Sequence, residues 1–464
     1  MDPGNDDELL QPKIHPLKFF DAAKSQKRLL YACAPMVRYS KLAFRQTVHH
    51  FGTDLCWTPM ILAKEFNRSS AARDSDLTVS TTGREEVPTI AQFGANDAAE
   101  LSRAASLAAP FVNGVDLNCG CPQSWACAAT LGAALMHRRE LVRDMVGATR
   151  ERLARDGWAV GPADAAVDHP AGRGRSVSVK IRVHKDLRQT MDFVTTVLGD
   201  EHNRNIDWLT IHPRTRSTPS SVPIDLEALE VLTSTFGAKV PILVSGDVFT
   251  LSSLPYTSHL LDAQPTFTTS TDDSASHTTN SDGPNSLSKK LHLPHLAGLM
   301  SARALLANPA LFAGHDSCPW EAVDVFMNNV ARAPLPLKLG VHHLTEMCGP
   351  GFGPDRGAAL LSKKARVRLT EMGNWIDVID FVDKKRRQRE SKAITDTQLH
   401  ELEESGKELK ELEAQKHAAY QELNQANENL RMASEKAVEK TLEKTEAKTR
   451  ELQAFLVRLK EGNV

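Results

Sequence analysis

Between residues 29 and 312, short apolar runs rich in Val, Ile and Leu alternate with longer segments of helical period, the alternation expected of a parallel sheet with crossover helices. Eight such runs occur, at residues 29–36, 54–59, 87–93, 112–118, 176–181, 206–212, 240–245 and 297–301. Nearly continuous apolar strands suit a sheet buried on both faces, in an open doubly wound sheet or in a closed barrel. The count of eight favours closure. The expected fold is therefore α/β, a (β/α)8 TIM barrel.

Two stretches break this rhythm. Residues 157–175 are rich in Ala, Gly and Pro, and residues 254–292 hold Ser, Thr, Asp and His with few large apolar side chains. Both read as disordered loops. The second falls where the helix between strands seven and eight belongs, so that helix is expected to be very short or displaced. After Pro319 the pattern becomes all-helical, over residues 320–331, 336–346, 358–371 and 375–382, which predicts a small helical domain. Beyond it, with Leu402 as position a, the a and d places hold Leu402, Leu409, Leu412, Ala419, Leu423, Ala426, Leu430, Ala433 and Ala437, interrupted by Lys416. That tail reads as a coiled coil or as a long solvated single helix laced by i to i+4 charge pairs. The expected domains are an N-terminal extension (1–27), the barrel (28–316), the small helical domain (317–383), and a basic linker with the long helical tail (384–464).

Composition narrows the class. Hydrophobic residues make up 41% and charged residues 25% of the 464, near the globular average, and no apolar run is long enough to cross a bilayer. No membrane partner is expected. The acidic start, residues 1–11, lacks the basic and apolar pattern of a secretory signal, so the seven cysteines are expected as reduced thiols in an intracellular protein. A formal net charge of −2 excludes a chain that binds nucleic acid over its whole surface, and any basic surface must be local.

Barrel chemistry sits at the carboxyl ends of the strands. Here the runs end in Ala34-Pro35-Met36, Gln92, Asn118-Cys119-Gly120-Cys121-Pro122, Lys180-Ile181-Arg182, His212-Pro213-Arg214, Ser245-Gly246-Asp247 and Ala302-Arg303. Strands seven and eight commonly build a phosphate site, and Gly246 with Arg303 can cradle and clamp one, which implies a phosphorylated cofactor such as FMN. A Ser-Gly-Asp turn elsewhere would be only a turn. Lys180 can offset negative charge on the N1 and O2 edge of a reduced flavin, with Gln92 and His212 bonding the ring edge. Taken singly, each of these would pass for a surface or structural residue. Cys119, Cys121 and Cys127 cluster without the spacing of a zinc site, and Cys119 reads as a small core residue. Cys121 lies in a Gly-Cys-Pro turn past strand four, where it can serve as a general acid.

These residues, in this order, resemble the tRNA-dihydrouridine synthase family, most closely its eukaryotic class acting at positions 20a and 20b of the D-loop. The resemblance rests on Ala34-Pro35-Met36-Val37-Arg38-Tyr39-Ser40 with Phe44-Arg45, on Ala91-Gln92-Phe93-Gly94, and on Asp116-Leu117-Asn118-Cys119-Gly120-Cys121-Pro122-Gln123 with Trp125 and Gly132-Ala133. It continues through Val179-Lys180-Ile181-Arg182, His212-Pro213-Arg214-Thr215-Arg216, Ser245-Gly246-Asp247, Ala302-Arg303 and Ala307-Asn308-Pro309, and covers roughly residues 28–382. It implies FMN held by Pro35, Met36, Val37, Gln92, Lys180, His212, Ser245, Gly246, Asp247, Ala302 and Arg303, with Cys121 as proton donor and NADPH or NADH as electron source. Ser245 departs from the family, which usually has Asn there. Candidates for tRNA contact are Arg38, Arg182, Arg214 and Arg216 at the rim and Lys363, Lys364, Arg366 and Arg368 on a helix of the small domain. The basic run Lys384-Lys385-Arg386-Arg387 reads as solvated, as an import signal or as a further contact.

Two other readings compete. One is a flavin barrel reductase of a small molecule, for which the basic residues are incidental. The other is a non-catalytic tRNA-binding or scaffold protein whose tail is the functional part, and which would take up no flavin.

Overall fold

The computed structural model describes residues 14–78, 87–162, 173–200, 204–262, 290–353 and 356–460, excluding the side chains of 392–403 and 455–460. Eight parallel strands form the centre: β1 (Leu30–Cys33), β2 (Leu55–Trp57), β3 (Thr89–Gly94), β4 (Gly114–Cys119), β5 (Ser176–Arg182), β6 (Leu209–His212), β7 (Ile242–Ser245) and β8 (Leu296–Ser301). Each pairs with the next, β8 pairs with β1, and β2 pairs with β3, so the sheet is closed. The eight expected strands are all present, most of them shorter than their apolar runs. A two-residue strand, Ile61–Leu62, adds to β3.

Side-chain alternation divides each strand between two layers. Phe93, Leu117, Val179, Ile181 and Ile211 face out and bury against the helices Ala98–Ala108, Arg139–Arg155 and Leu187–Leu198. The intervening residues face the barrel interior. Its lower half is apolar, with Leu30, Ala32, Leu55, Trp57, Ile90, Trp208, Leu243 and Met300. Its upper half is polar, so the interior is a packed plug beneath a polar floor.

The structure corrects several boundaries. Residues 17–25 are no separate extension: the helix Leu17–Ser25 inserts Leu17, Phe20 and Ala23 into the plug. Phe20 meets Trp208 at 5.6 Å between centroids, and Trp208 meets Trp57 edge-on at 6.2 Å. The margins of both expected loops are ordered. Ala159 bridges Gly174, and Arg175 stacks 4.2 Å over Trp158; residues 163–172 lie outside the described residues. Tyr256–Thr257 pairs with Leu291–His292 and buries Tyr256, while the helix after β7 is described over four residues, His259–Asp262. The rest of that insertion, 263–289, also lies outside the described residues.

The helices Trp320–Arg332, Leu337–Met347 and Lys363–Thr370 form the expected helical segment. It is not detached, because residues up to 381 make one compact unit with the barrel. His343 packs between Phe44 and Phe326, each 5.0 Å away, and Asn329 Nδ2 donates to Thr47 Oγ1 at 3.0 Å. In the second unit, residues 382–464, the described residues continue one helix, Trp375–Lys460. The basic run at 384–387 is therefore helical rather than a linker. Along this helix Leu409, Leu412, Leu423 and Leu430 are exposed in the single chain, and Arg431–Glu435 and Arg450–Glu446 form i, i+4 pairs.

Candidate active site

Strand register assembles the polar floor. It sets Gln92 of β3 beside Asp116 of β4, Asp116 beside Ser178 and Asn118 beside Lys180 of β5, and Arg182 beside His212 of β6. Parallel neighbours in register point the same way, so all of these enter the barrel mouth. Asp116 accepts Gln92 Nε2 at 2.8 Å on one oxygen and the Ser178 hydroxyl at 2.7 Å on the other. Burial raises its pKa to about 6, opposed by those two hydrogen bonds and by the Lys180 charge. Lys180 is lowered to about 8 by burial and by Arg182, against the pull of Asp116 and Cys121. At neutral pH the floor thus holds a carboxylate and an ammonium.

This network reaches Cys121 through one amide. Asn118 Nδ2 donates to Gln92 Oε1 at 2.7 Å, while Asn118 Oδ1 accepts the Gly120 N–H at 3.0 Å and the Cys121 N–H at 2.8 Å. From outside, Arg182 Nε donates to Gly120 O at 2.8 Å. The far side of the turn is closed by Ala133 N–H on Cys121 O at 2.9 Å. Gly132 lies so near (φ +60°) that an added Cβ would come 2.6 Å from Cys121 O, which leaves only glycine there. Cys121 is part-exposed at the rim, whereas Cys119 faces the helices, fully buried, and burial pushes its thiol pKa well up. One thiol is presented and the other withheld.

His212 is held neutral, with its pKa lowered to about 2 by burial and by Lys180, Arg182, Arg214 and Arg303. Arg214 can only donate, so His212 Nε2, 3.1 Å from Arg214 Nη1, is the acceptor and the ring proton sits on Nδ1. Arg214 is itself 4% exposed; it donates to Val222 O at 2.7 Å and pairs with Asp247 Oδ1 at 2.6 Å. The rim-contact expectation for Arg214 is corrected on that ground: its guanidinium is spent inside. Asp247 Oδ2 accepts the Ile224 N–H at 2.8 Å, so its carboxylate braces the turn. Between Ser245 and Asp247, Gly246 has φ +111°, and a Cβ there would lie 2.9 Å from the His212 ring.

The remaining expected residues divide by exposure. Pro35 and Met36 are half-buried at the end of β1, where Met36 N–H bonds Ser40 Oγ at 2.8 Å; Val37 and Arg38 are exposed. Ala302 and exposed Arg303 follow β8, and Arg303 Nη1 donates to Ser220 Oγ at 3.3 Å. Arg216, Lys363, Lys364 and Arg368 are exposed; Arg366 turns inward, so close to Gly349 that a Cβ there would meet its Nη1 at 2.7 Å. Arg366 is thereby set apart from the other cations of its helix. Sequence reasoning gave Asp116, Asn118 and Ser178 no role in the site, although Asn118 stood at the end of strand four. The parity of β4 and β5 carried the signal, since Asp116, Asn118, Ser178 and Lys180 share the face that must enter the barrel.

The donor set fits a phosphorylated planar ring system. Gly246 brings its backbone against the His212 ring with no room for a Cβ, Arg303 has no ion-pair partner among the described residues, and Thr210 Oγ1, in register with Lys180, is buried without a hydrogen-bond partner among them. Among the described residues no cluster of His, Cys, Asp or Glu could hold a metal, and no helix is long and apolar enough to cross a membrane.

Comparison with known proteins agrees with this geometry. Residues 32–259 match the dihydrouridine synthase (Dus) family. The chain is 35% identical over 317 residues to a human protein named tRNA-dihydrouridine(20a/20b) synthase-like, covering 68% of this chain and 80% of that one. Identity is 32% over 371 residues to the tRNA-dihydrouridine(20a/20b) synthase of Schizosaccharomyces pombe, covering 79% and 91%. With that of Saccharomyces cerevisiae it is 31% over 363 residues, covering 78% and 81%. The chain belongs to the dihydrouridine synthase family.

Proposed function

We propose that the protein is a tRNA-dihydrouridine synthase that reduces the C5=C6 bond of uridines 20a and 20b in the tRNA D-loop, with FMN as cofactor, NADPH or NADH as donor and Cys121 as the acid. The observation that carries this reading is the Cys121 turn, fixed from both sides and presented beside Lys180 at the mouth of the barrel. The C5=C6 bond is conjugated with the C4 carbonyl, and the flavin, when bound, supplies hydride at C6 after receiving it from the nicotinamide. What the chain adds is a proton at C5, given by the Cys121 thiol; a carboxylic acid would already be ionised at neutral pH.

Lys180, Gln92 and His212 would hold the ring, and Pro35, Met36 and Val37 lie at the β1 end of the same mouth. Ser245, Gly246, Ala302 and Arg303 would hold the phosphate, with Asp247 keeping the turn in shape through Arg214. The target base must leave its stack to enter the barrel. Exposed Arg38, Arg216, Lys363, Lys364 and Arg368 would take the tRNA backbone, and Arg182 would act through the Cys121 turn. The seven free thiols fit an intracellular setting, cytoplasmic or nuclear, and the exposed leucines of the tail fit self-association or a partner helix.

The test is positional. tRNA lacking dihydrouridine is incubated with flavin-loaded protein and NADPH, digested and sequenced by mass spectrometry. A gain of two mass units at 20a and 20b is expected. Gain at other D-loop uridines would overturn the site assignment, and turnover of free uracil or a small enone at rates comparable to tRNA would favour a small-molecule reductase.

A further inference from the structure

Arg303 is the cation of the phosphate end, yet it is an exposed, long side chain with no carboxylate to fix it among the described residues. Such a side chain loses rotamer freedom when it grips a ligand unless something already confines it. Two contacts do so. Its Nη1 donates to Ser220 Oγ at 3.3 Å, and its guanidinium lies over the Phe352 ring, 5.6 Å from the centroid.

Phe352 comes from outside the barrel, on the loop Gly349-Pro350-Gly351-Phe352-Gly353 after the helix Leu337–Met347. The loop is built to deliver it. Gly351 and Gly353 on either side take φ +78° and +102°, and a Cβ on Gly353 would stand 2.8 Å from Phe249 Cβ and Cγ. Phe249 lies two residues past Asp247, so the loop is seated against the turn that carries Gly246. The helical segment thus closes over both halves of the phosphate end, through Phe249 on the β7 side and Arg303 on the β8 side.

We propose that Phe352 is a positioning residue for cofactor binding: its ring holds the Arg303 guanidinium in place for the flavin phosphate, making the helical segment part of the cofactor site. This rests on the flavin reading above. A cation–π contact made by an exposed arginine contributes modestly, so a loss of about two- to fivefold in affinity is expected.

The experiment measures binding of FMN and of riboflavin, which lacks the phosphate, by quenching of flavin fluorescence on the full-length protein. Phe352→Ala should weaken FMN by that factor and leave riboflavin unchanged. Phe352→Leu, which keeps apolar bulk, should behave like Phe352→Ala, whereas Phe352→Tyr should bind as the wild type. In an Arg303→Ala background, Phe352→Ala should have no further effect. Equal loss for both flavins, a full loss in the Arg303→Ala background, or unchanged FMN binding in Phe352→Ala would overturn the proposal. If the wild type binds FMN no more tightly than riboflavin, the phosphate site itself is misplaced, a failure distinct from that of Phe352.

Discussion

At Asn118 one amide does two jobs, its oxygen receiving the Gly120 and Cys121 N–H groups while its nitrogen donates to Gln92. Removing it leaves two turn N–H groups and the Gln92 oxygen without their partner, at about 1–3 kcal/mol for each buried group. Asn118→Ala should therefore lower dihydrouridine formation ten- to a hundredfold, read by kcat under saturating tRNA. Lys180 gives a pH dependence with a definite sign. Its pKa is lowered to about 8, so the cation is present below that value and lost as pH rises through it. Flavin reduction by NADPH should slow above pH 8 in the wild type, and Lys180→Arg should move the fall to higher pH; the same fall in both would exclude Lys180 as its cause. Much of the residue scale was legible. The rim residues could be read from strand ends, and Asp116 and Asn118 from β4 parity. Arg214 could not, because its burial depends on Asp247, 33 residues away, and nothing local in His-Pro-Arg-Thr-Arg distinguishes Arg214 from exposed Arg216.

Among the elements, the N-terminal helix Leu17–Ser25 shows what pattern alone misses. Leu17, Phe20 and Ala23 mark one helical face, but only the closed barrel reveals that this face plugs the interior under Trp208 and Trp57. Phe20→Ala should cost about 3–5 kcal/mol of stability, read from denaturant midpoints, with flavin affinity preserved because the polar floor lies above the plug. Loss of flavin at unchanged stability would contradict this division. At the β7 turn, Gly246→Ala meets both a φ of +111° and the His212 ring. Flavin release with about 1–3 kcal/mol of strain is expected, seen in absorbance and Tm. The eight strands were legible because barrel strands are buried on both faces. Their starts were less so, since six of the eight apolar runs begin one to three residues before the strand does.

For the whole molecule, the small net charge means that tRNA affinity has to come from a few exposed cations. Lys363 and Lys364 lie together on one helix and are exposed. If each contacts a phosphate, Lys363→Ala with Lys364→Ala should lower tRNA affinity and reduce the slope of log K against log salt by about 1.8. An unchanged slope would remove them from the interface. The helical tail was legible as a helix from its heptads, yet its partner was not, because Leu and Ala at a and d places, among i, i+4 charge pairs, serve a paired or a solvated helix alike. The proposed chemistry has Cys121 deliver the proton to a uridine of tRNA. It is tested by mass spectrometry of dihydrouridine in tRNA lacking the modification, after incubation with NADPH and flavin-loaded wild type or Cys121→Ala. The wild type should form product and the variant should fall by about 100- to 10,000-fold while its flavin spectrum stays unchanged; equal product from both would contradict the assignment of Cys121.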